Sequence, residues 1–232
     1  IAAAHSFLGR GRLASEHVDH AGHKQLIEIA KASGVRHFVY TSAYFTDPVF
    51  LTIPFVRIKQ DVEKHLRASG LSYTILRPTA FMDFHAHVLI GMPVITGKKV
   101  MLFGTGKRPR NFVAASDVAQ LAVRALRDSS LANETIDIGG PENLSSVDVV
   151  GIYEGIAGRK AKVAHLPASV PGALARIVRP FHSGVGQMLQ MASIADVAEQ
   201  RFDARGLQER FAVRLSRLED WARRQSVQLP LV

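Results

Sequence analysis

With 232 residues, 47% of them hydrophobic, the chain can bury one substantial core, and its length predicts one to two domains. It has no cysteine, which excludes a disulfide framework and any thiolate metal site; no apolar run approaches the roughly 18 residues of a membrane-spanning helix, so a soluble cytoplasmic protein is expected. The formal charge of +9 comes from 29 basic residues spread along the sequence without a nucleic-acid-binding motif, which predicts a generally basic surface and no nucleic-acid partner.

Ile1 to His5 read as the end of a buried strand. Ser15 is placed to cap a helix running to about Ser33, with Glu16 in its first turn, Val18, Gly22, Ile29 and Ala30 near one face, and Gly34 as its stop. His17, His20 and His23 recur at threes on this helix. Residues three apart can share a metal, but six apart drift about 240° round the axis, so the three cannot converge and no metal site is predicted.

Residues 34–78 read as β-α-β. Val35, Phe38, Val39 and Tyr40 form a β-branched and aromatic block expected to be a strand over 35–42, buried on both faces. Thr52 is placed to cap the following helix with Pro54 in its first turn, Val56, Val62 and Leu66 as its buried stripe, and Gly70 as a left-handed stop. Tyr73, Thr74, Ile75 and Leu76 repeat the strand pattern over 72–77 before Pro78 ends it. Parallel strands joined this way bind ligands at their carboxyl ends, which puts the working site at Thr41, Ser42 and Pro78.

Further on, Val100 to Phe103 predicts a short strand with Gly104, Thr105 and Gly106 as its turn. Lys98, Lys99, Lys107, Arg108 and Arg110 form the densest basic cluster, which either draws an anionic ligand or is a solvated hairpin. Ser116 is expected to cap a helix with Asp117 in its first turn; Thr135 to Ile138 form another strand ended by Gly139, Gly140 and Pro141, and Ser145 or Ser146 caps the helix after it. From about Ala161 the pattern is mostly helical. Met188 and Met191 there either fill core or belong to a mobile substrate lid. The last helix turns Leu215, Leu218 and Trp221 inward and Arg217, Arg223 and Arg224 outward.

The run GVRHFVYTSA, then Lys59, then YTILRPTAFM resembles the NmrA-like, atypical short-chain dehydrogenase/reductases, from about Ile1 to about Leu144. VDHAGHKQLIEIAKASG resembles that family's helix before the serine-bearing strand, and Asn111 to Val113 its strand leading into the helix at Ser116. The resemblance implies an α/β fold with a Rossmann-like parallel sheet, incomplete at the N-terminus. Residues 1–144 would be the second half of an NAD(P)-binding domain, and 145–232 a smaller, mostly helical substrate-binding region interleaved with it. Ile1 to His5 would belong to the fourth strand. The glycine-rich turn that receives the pyrophosphate follows the first strand in the family, and no glycine group in this sequence has its spacing. An unpaired sheet edge beside strand 35–42 is therefore expected.

The resemblance further implies binding of NADP(H) or NAD(H) by Ala4, His5, Thr41, Ser42, Lys59, Pro78, Thr79 and Phe81, with Phe81 equally assignable to the core. Substrate would meet Ala80, Met82, His85 and Asn111, and the catalytic set would be Ser42 and Lys59. The family pairs a Tyr with a Lys four residues on, where the ammonium lowers the phenol pKa and binds ribose hydroxyls. Lys59 is present, but Phe55 occupies the Tyr position and transfers no proton. Tyr40, Tyr44 and His85 remain as alternative donors. Two functions follow: an NAD(P)H-dependent oxidoreductase acting on a small apolar carbonyl, enone or quinone, or a redox sensor that binds NAD(P)(H) without turnover and passes its state to a protein partner.

Overall fold

The computed structural model describes residues 1–194, 197, 198 and 200–228. A π-helical stretch, Glu16–Gly22, runs into α1 (His23–Ala32), followed by β1 (Phe38–Thr41), α2 (Pro54–Ala68), β2 (Tyr73–Pro78) and β3 (Ala80–Phe81). A second π-helical stretch, Met82–Gly91, leads to α3 (Met92–Ile95), β4 (Lys99–Phe103), β5 (Arg110–Val113), α4 (Ala115–Arg127), β6 (Glu134–Ile138) and β7 (Asn143–Leu144). The chain then forms α5 (Ser146–Ala157), β8 (Lys162–Leu166), α6 (Ser169–Val178), α7 (Ser183–Ser193), α8 (Arg205–Phe211) and α9 (Leu218–Gln228).

The central sheet is parallel, in the order β1-β2-β6, with Val39 level with Thr74 and Leu76 level with Ile136. Beyond β1 lies a single parallel bridge from Ala2 to Tyr40, closed by Ala2 N–H to the Val39 carbonyl and Thr41 N–H to the Ala2 carbonyl. The expected edge beside this strand thus carries one pairing residue. Both faces of the sheet are covered. Ile27, Val62 and Leu66 pack on Phe38, Tyr40 and Ile75 from one side, while Leu121, Ala122 and Phe211 meet Val39, Leu76 and Ile136 on the other. Each fully buried Val or Leu of this kind contributes about 1.5–3 kcal/mol. This is the Rossmann-like arrangement of a parallel sheet between helical layers.

A second layer stands on the main sheet's carboxyl end. After Pro78 the chain bends into β3, which pairs with β5, and β5 pairs antiparallel with β7. β4 pairs in parallel with β8. A core of Met82, Ala86, Phe112, Tyr153 and Trp221 joins these pieces, so the segments after residue 145 interleave with those before it. Gly140 permits the tightest crossing here, since a Cβ at that position would lie 1.9 Å from the Phe112 carbonyl oxygen.

Several local expectations are corrected. Val35 is exposed and outside β1, because the chain after the left-handed Gly34 first turns back on α1, its N–H donating to the Ala30 carbonyl. Thr52 does not cap α2: Pro48–Thr52 is a 3-10 turn capped by Asp47, and Ile53 precedes the helix. Ser15 makes no cap bond, since the chain is already helical there; the π-helical register then turns Ile29 outward and lines up Asp19, His23, Ile27 and Ala30 as the buried face. Ser116 lies inside α4, which begins after Ala114. The segment after Ala161 includes a strand, β8, because Lys162 to Leu166 complete the edge of β4. As expected, Gly70 is left-handed, Ser145 caps α5 in a reciprocal pair with Asp148, and Leu215, Leu218 and Trp221 are buried.

Candidate functional site

β1 ends in Thr41, and Ser42 follows with its N–H donating to the Leu76 carbonyl at 2.7 Å. That bond fixes the Ser42 backbone at the sheet's carboxyl edge, while its Oγ is buried with no hydrogen-bond partner. A buried hydroxyl without a partner costs roughly 1–3 kcal/mol, which makes this Oγ a free donor and acceptor at the sheet's carboxyl edge.

The Lys59 side chain is 5% exposed and its Nζ lies 3.4 Å from the Thr41 carbonyl oxygen and 3.4 Å from Asp19 Oδ1. Asp19, fully buried on the π-helical stretch, accepts from the Ser6 N–H at 2.8 Å through its other oxygen. Burial lowers the Lys59 pKa, and the Asp19 carboxylate opposes that shift. An ammonium has three protons; two long contacts leave room for a further acceptor. The same Nζ stands 5.2 Å from the Tyr40 ring centre and 5.3 Å from that of Phe55, whose ring packs edge-on against Phe7.

One turn along α2, Glu63 receives a fork from Arg77, with Nε to Oε1 at 2.9 Å and Nη2 to Oε2 at 2.6 Å, and a bond from Arg67 at 3.0 Å. Burial would raise the Glu63 pKa, but Arg77 and the other donors hold it below its ordinary value. Ser42 is near enough to assist, although its hydroxyl forms no bond of proper geometry with the carboxylate. Ser42, Tyr44, Lys59, Glu63, Arg77 and Asp137 line a cavity of about 130 Å³ at the carboxyl ends of β1, β2 and β6. Tyr44 is also a wall of an open groove of about 540 Å³ bordered by Asn143, Phe202 and Gln208.

The expected site residues therefore fall into separate groups. Thr41, Ser42 and Lys59 come together; Ala4 and His5 lie exposed past the Ala2 bridge; Pro78 is the buried end of β2. Thr79 and Asn111 belong to a buried polar hub. Asn111 Oδ1 accepts from the Thr79 hydroxyl and the Gly140 N–H, while Nδ2 donates to the carbonyls of Gly140 and Glu142 and to Asn143 Oδ1. That amide is fully engaged in holding the strand ends. Phe81 packs against the core of Val39 and Val113, and Met82 is buried beneath Ala80. His85 sits half-buried on the second π-helical stretch, its ring edge-on to Phe84.

The basic cluster splits: Lys98, Lys99, Lys107 and Arg108 are exposed, whereas Arg110 is half-buried with its guanidinium 5.0 Å over the Phe112 ring. Of the three histidines at threes, His17 is exposed, His20 bonds to Asp61 at 2.6 Å, and His23 is buried edge-on to Tyr40. Sequence reasoning missed Asp19, although its position four residues before His23 and eight before Ile27 places a carboxylate on the helix's apolar line. It also missed the Glu63–Arg77 fork, which pairs a helix residue with a strand residue.

A Rossmann-like parallel sheet covered by helices on both faces is the fold of the NAD(P)-binding reductase and epimerase class. The model of the NmrA-like family matches residues 13–224, and the chain belongs to that family, which binds NAD(P). It is 28% identical over 188 residues to the photosystem II assembly factor Ycf39 of Trieres chinensis, covering 78% of this chain and 56% of that protein. It is 27% identical over 137 residues to NAD(P)H azoreductase of Xenophilus azovorans, covering 59% of this chain and 46% of that protein. Among solved structures, MoeE5 in complex with UDP-glucose and NAD superposes with a TM-score of 0.67 at 19% identity, covering 90% of this chain and 73% of that one. At that identity the likeness is one of fold. The chain spans about half the length of the curated relatives it matches.

Proposed function

We propose that this chain supplies the nicotinamide-ribose side of an NAD(P)(H) site in an oxidoreductase acting on a small apolar carbonyl, enone or quinone. The observation that carries the reading is the buried, unpartnered hydroxyl of Ser42 sharing a cavity with the Lys59 ammonium. The residues fit that half of a dinucleotide. Lys59 has an unused donor for ribose hydroxyls, and Ser42 can donate to a substrate oxygen on which charge builds. No glycine-rich phosphate turn is found in this sequence, so the fit extends to the ribose and nicotinamide only. When bound, the reduced dinucleotide supplies hydride; Ser42 or water holds the proton for the substrate oxygen, and the protein packed around Lys59 excludes water from it.

Phe55 favours a second reading. Its phenyl ring stands beside Lys59 where a phenol would complete proton transfer, which supports a redox sensor that binds NAD(P)(H) without turnover and reports to a protein partner. Ycf39, named as an assembly factor, lends that reading weight.

The test is a dinucleotide titration of the chain, wild type against Lys59→Met, run beside assays of NAD(P)H oxidation with carbonyls and quinones. Loss of a charge-assisted hydrogen bond of roughly 1.5–3 kcal/mol predicts about ten- to a hundredfold weaker binding. Equal affinities would remove Lys59 from the cofactor site. Binding without oxidation by any acceptor would leave the sensor.

A further inference from the structure

α6 and α7 form a helical hairpin whose two sides differ. On the inner side Pro171 and Ala175 of α6 are buried, and glycines of α7 permit close contact: a Cβ at Gly186 would lie 2.8 Å from the Arg179 Cβ, and one at Gly184 would lie 2.4 Å from the Leu8 carbonyl carbon. The hairpin is thereby fixed against the rest of the chain. On the outer side Val170, Leu174 and Ile177 are exposed, at spacings that keep them within about 60° of one another round the axis. Past the end of α6 the turn continues, with the His182 N–H donating to the Val178 carbonyl at 2.8 Å, and this register puts Phe181 on the same line. Exposure rises along the stripe, from 37% at Val170 to 65% at Ile177 and 82% at Phe181. A surface helix of a folded domain turns its apolar stripe inward. α6 also presents one to solvent, and such a contiguous apolar line marks a contact surface.

The charge around it says what is contacted. From Gly155 to Ala195 the sequence contains no Asp or Glu, while Arg159, Lys160, Lys162, Arg176 and Arg179 fall in that same stretch of a chain of formal charge +9. Arg176 on α6 and Arg179 at its C-terminal cap are exposed, and among the described residues neither forms an ion pair. α7, packed against α6, has no ionisable side chain to offset them. Exposed apolar side chains accompanied by unpaired guanidinium groups are the pattern of a helix lying in the interface of an anionic bilayer, where the apolar groups enter the acyl boundary and the basic ones meet phosphates. A second copy of the chain would set two basic stripes against each other. A protein partner needs a patch of about 800 Å² on this side, broader than a single line of four side chains.

We propose that α6 and the turn to Phe181 dock this chain on anionic phospholipid surfaces, with Leu174, Ile177 and Phe181 inserted and Arg176 and Arg179 at the headgroups. This goes beyond the cofactor reading and does not depend on it.

The experiment is co-sedimentation of the full 232-residue chain with vesicles of phosphatidylcholine alone, and of phosphatidylcholine mixed equally with phosphatidylglycerol, at low and at high salt. The expected result is association with the mixed vesicles, weaker at high salt and about tenfold or more weaker without the anionic lipid. Ile177→Ser combined with Phe181→Ser should weaken it about tenfold or more; both side chains are exposed, so the fold does not rest on them. Arg176→Gln with Arg179→Gln should cost about tenfold, whereas Lys98→Gln with Lys107→Gln, which removes the same charge from exposed positions outside the hairpin, should cost no more than about threefold. Phe181→Trp supplies a direct reading, since its emission should move to the blue on mixed vesicles while the buried Trp221 gives a constant background. No association with mixed vesicles at low salt, or an unmoved Phe181→Trp emission, would overturn the proposal. So would wild-type binding by the Ile177 and Phe181 double variant, or equal losses in the two charge variants, because the net charge of the whole chain would then suffice. Self-association without lipid, abolished by that same double variant and unaccompanied by vesicle binding, would give the face to a second copy instead.

Discussion

Lys59 and Arg110 are both cations that the fold strips of water, and the chain answers them differently. Lys59, between α2 and β1, receives Asp19 from a π-helical stretch and the Thr41 carbonyl. Arg110, at the start of β5, receives the face of the Phe112 ring. Burying an ion costs several kcal/mol, repaid only when a partner is held in good geometry. Lys59 is therefore integrated into the stability of the sheet, whereas Arg110 makes no ion pair among the described residues and rests on an aromatic ring.

The largest expected effect breaks the first half of that contrast. Asp19→Asn leaves a buried ammonium facing an amide, and should lower stability by about 3–5 kcal/mol, read as a shift in the urea midpoint. Adding Lys59→Met to that variant should recover much of the loss, because the cost is the orphaned charge. Arg110→Met should be neutral or stabilising, since it removes a half-buried charge that no carboxylate among the described residues pairs. A costly Arg110→Met together with a harmless Asp19→Asn would reverse the comparison.

Acid sharpens the second half. Burial, and after it the charge of Arg110, lowers His85 to about 3 in the folded protein, against 6.5 ordinarily. The folded state then binds fewer protons than the unfolded one, so the stabilisation is complete above pH 6.5 and is lost as pH falls toward about 3. Between pH 7 and pH 4 the wild type should lose on the order of 2–3 kcal/mol more than His85→Gln, measured by urea unfolding at both values. Glu63 acts lower on the scale: Arg77 holds its folded pKa below 4.5, so its contribution is present above 4.5 and fades as pH falls below it.

Much of this framework could be read from the residues, for identifiable reasons. β1, α2 and β2 follow from apolar runs and glycine stops that act locally, whereas Lys59 was singled out by family resemblance. The pairing of charges could not be read that way. Asp19 and Lys59 are joined only because the π-helical stretch before α1 packs against α2, and Glu63 and Arg77 only because α2 lies over β2. The π-helical register also escaped the sequence, since one extra residue per turn shifts the buried line from Ile29 to Ile27 without changing composition. Arg110 was visible as part of a basic cluster, but its separation from Lys107 and Arg108 depends on the strand turning its side chain onto Phe112.

A smaller effect is expected at the Glu63 fork. Arg77 and Arg67 are each about a third exposed, so solvent screens what the short distances suggest. Glu63→Gln keeps the shape and some of the donors satisfied. A loss of about 1–2 kcal/mol in urea unfolding is expected, smaller than for Asp19→Asn, where both partners are enclosed. A loss equal to that of Asp19→Asn would mean that exposure is a poor guide to which ion pairs matter here.

The smallest expected effect on stability is the most informative about chemistry. Phe55→Tyr restores a phenol one helical turn before Lys59, the spacing at which an ammonium lowers a phenol pKa. The residue is half-buried, its backbone N–H donates to Gln187 Oε1 and its ring packs on Phe7, so one added hydroxyl should change stability by no more than about 0.5 kcal/mol. Dinucleotide affinity should stay within about twofold, because the proposed cofactor contact is made by Lys59 and not by residue 55. Turnover is the quantity that should move. If the missing phenol is what limits proton delivery, NAD(P)H oxidation rises by about a hundredfold or more, the usual range for a positioned general acid. If the wild type oxidises NAD(P)H and Phe55→Tyr leaves the rate unchanged, Ser42 or water already delivers the proton and the Lys59 side of the comparison is complete without a tyrosine. If neither protein oxidises NAD(P)H with any acceptor while both bind it, the phenylalanine is the residue of a sensor, and the enclosed Lys59 serves binding alone.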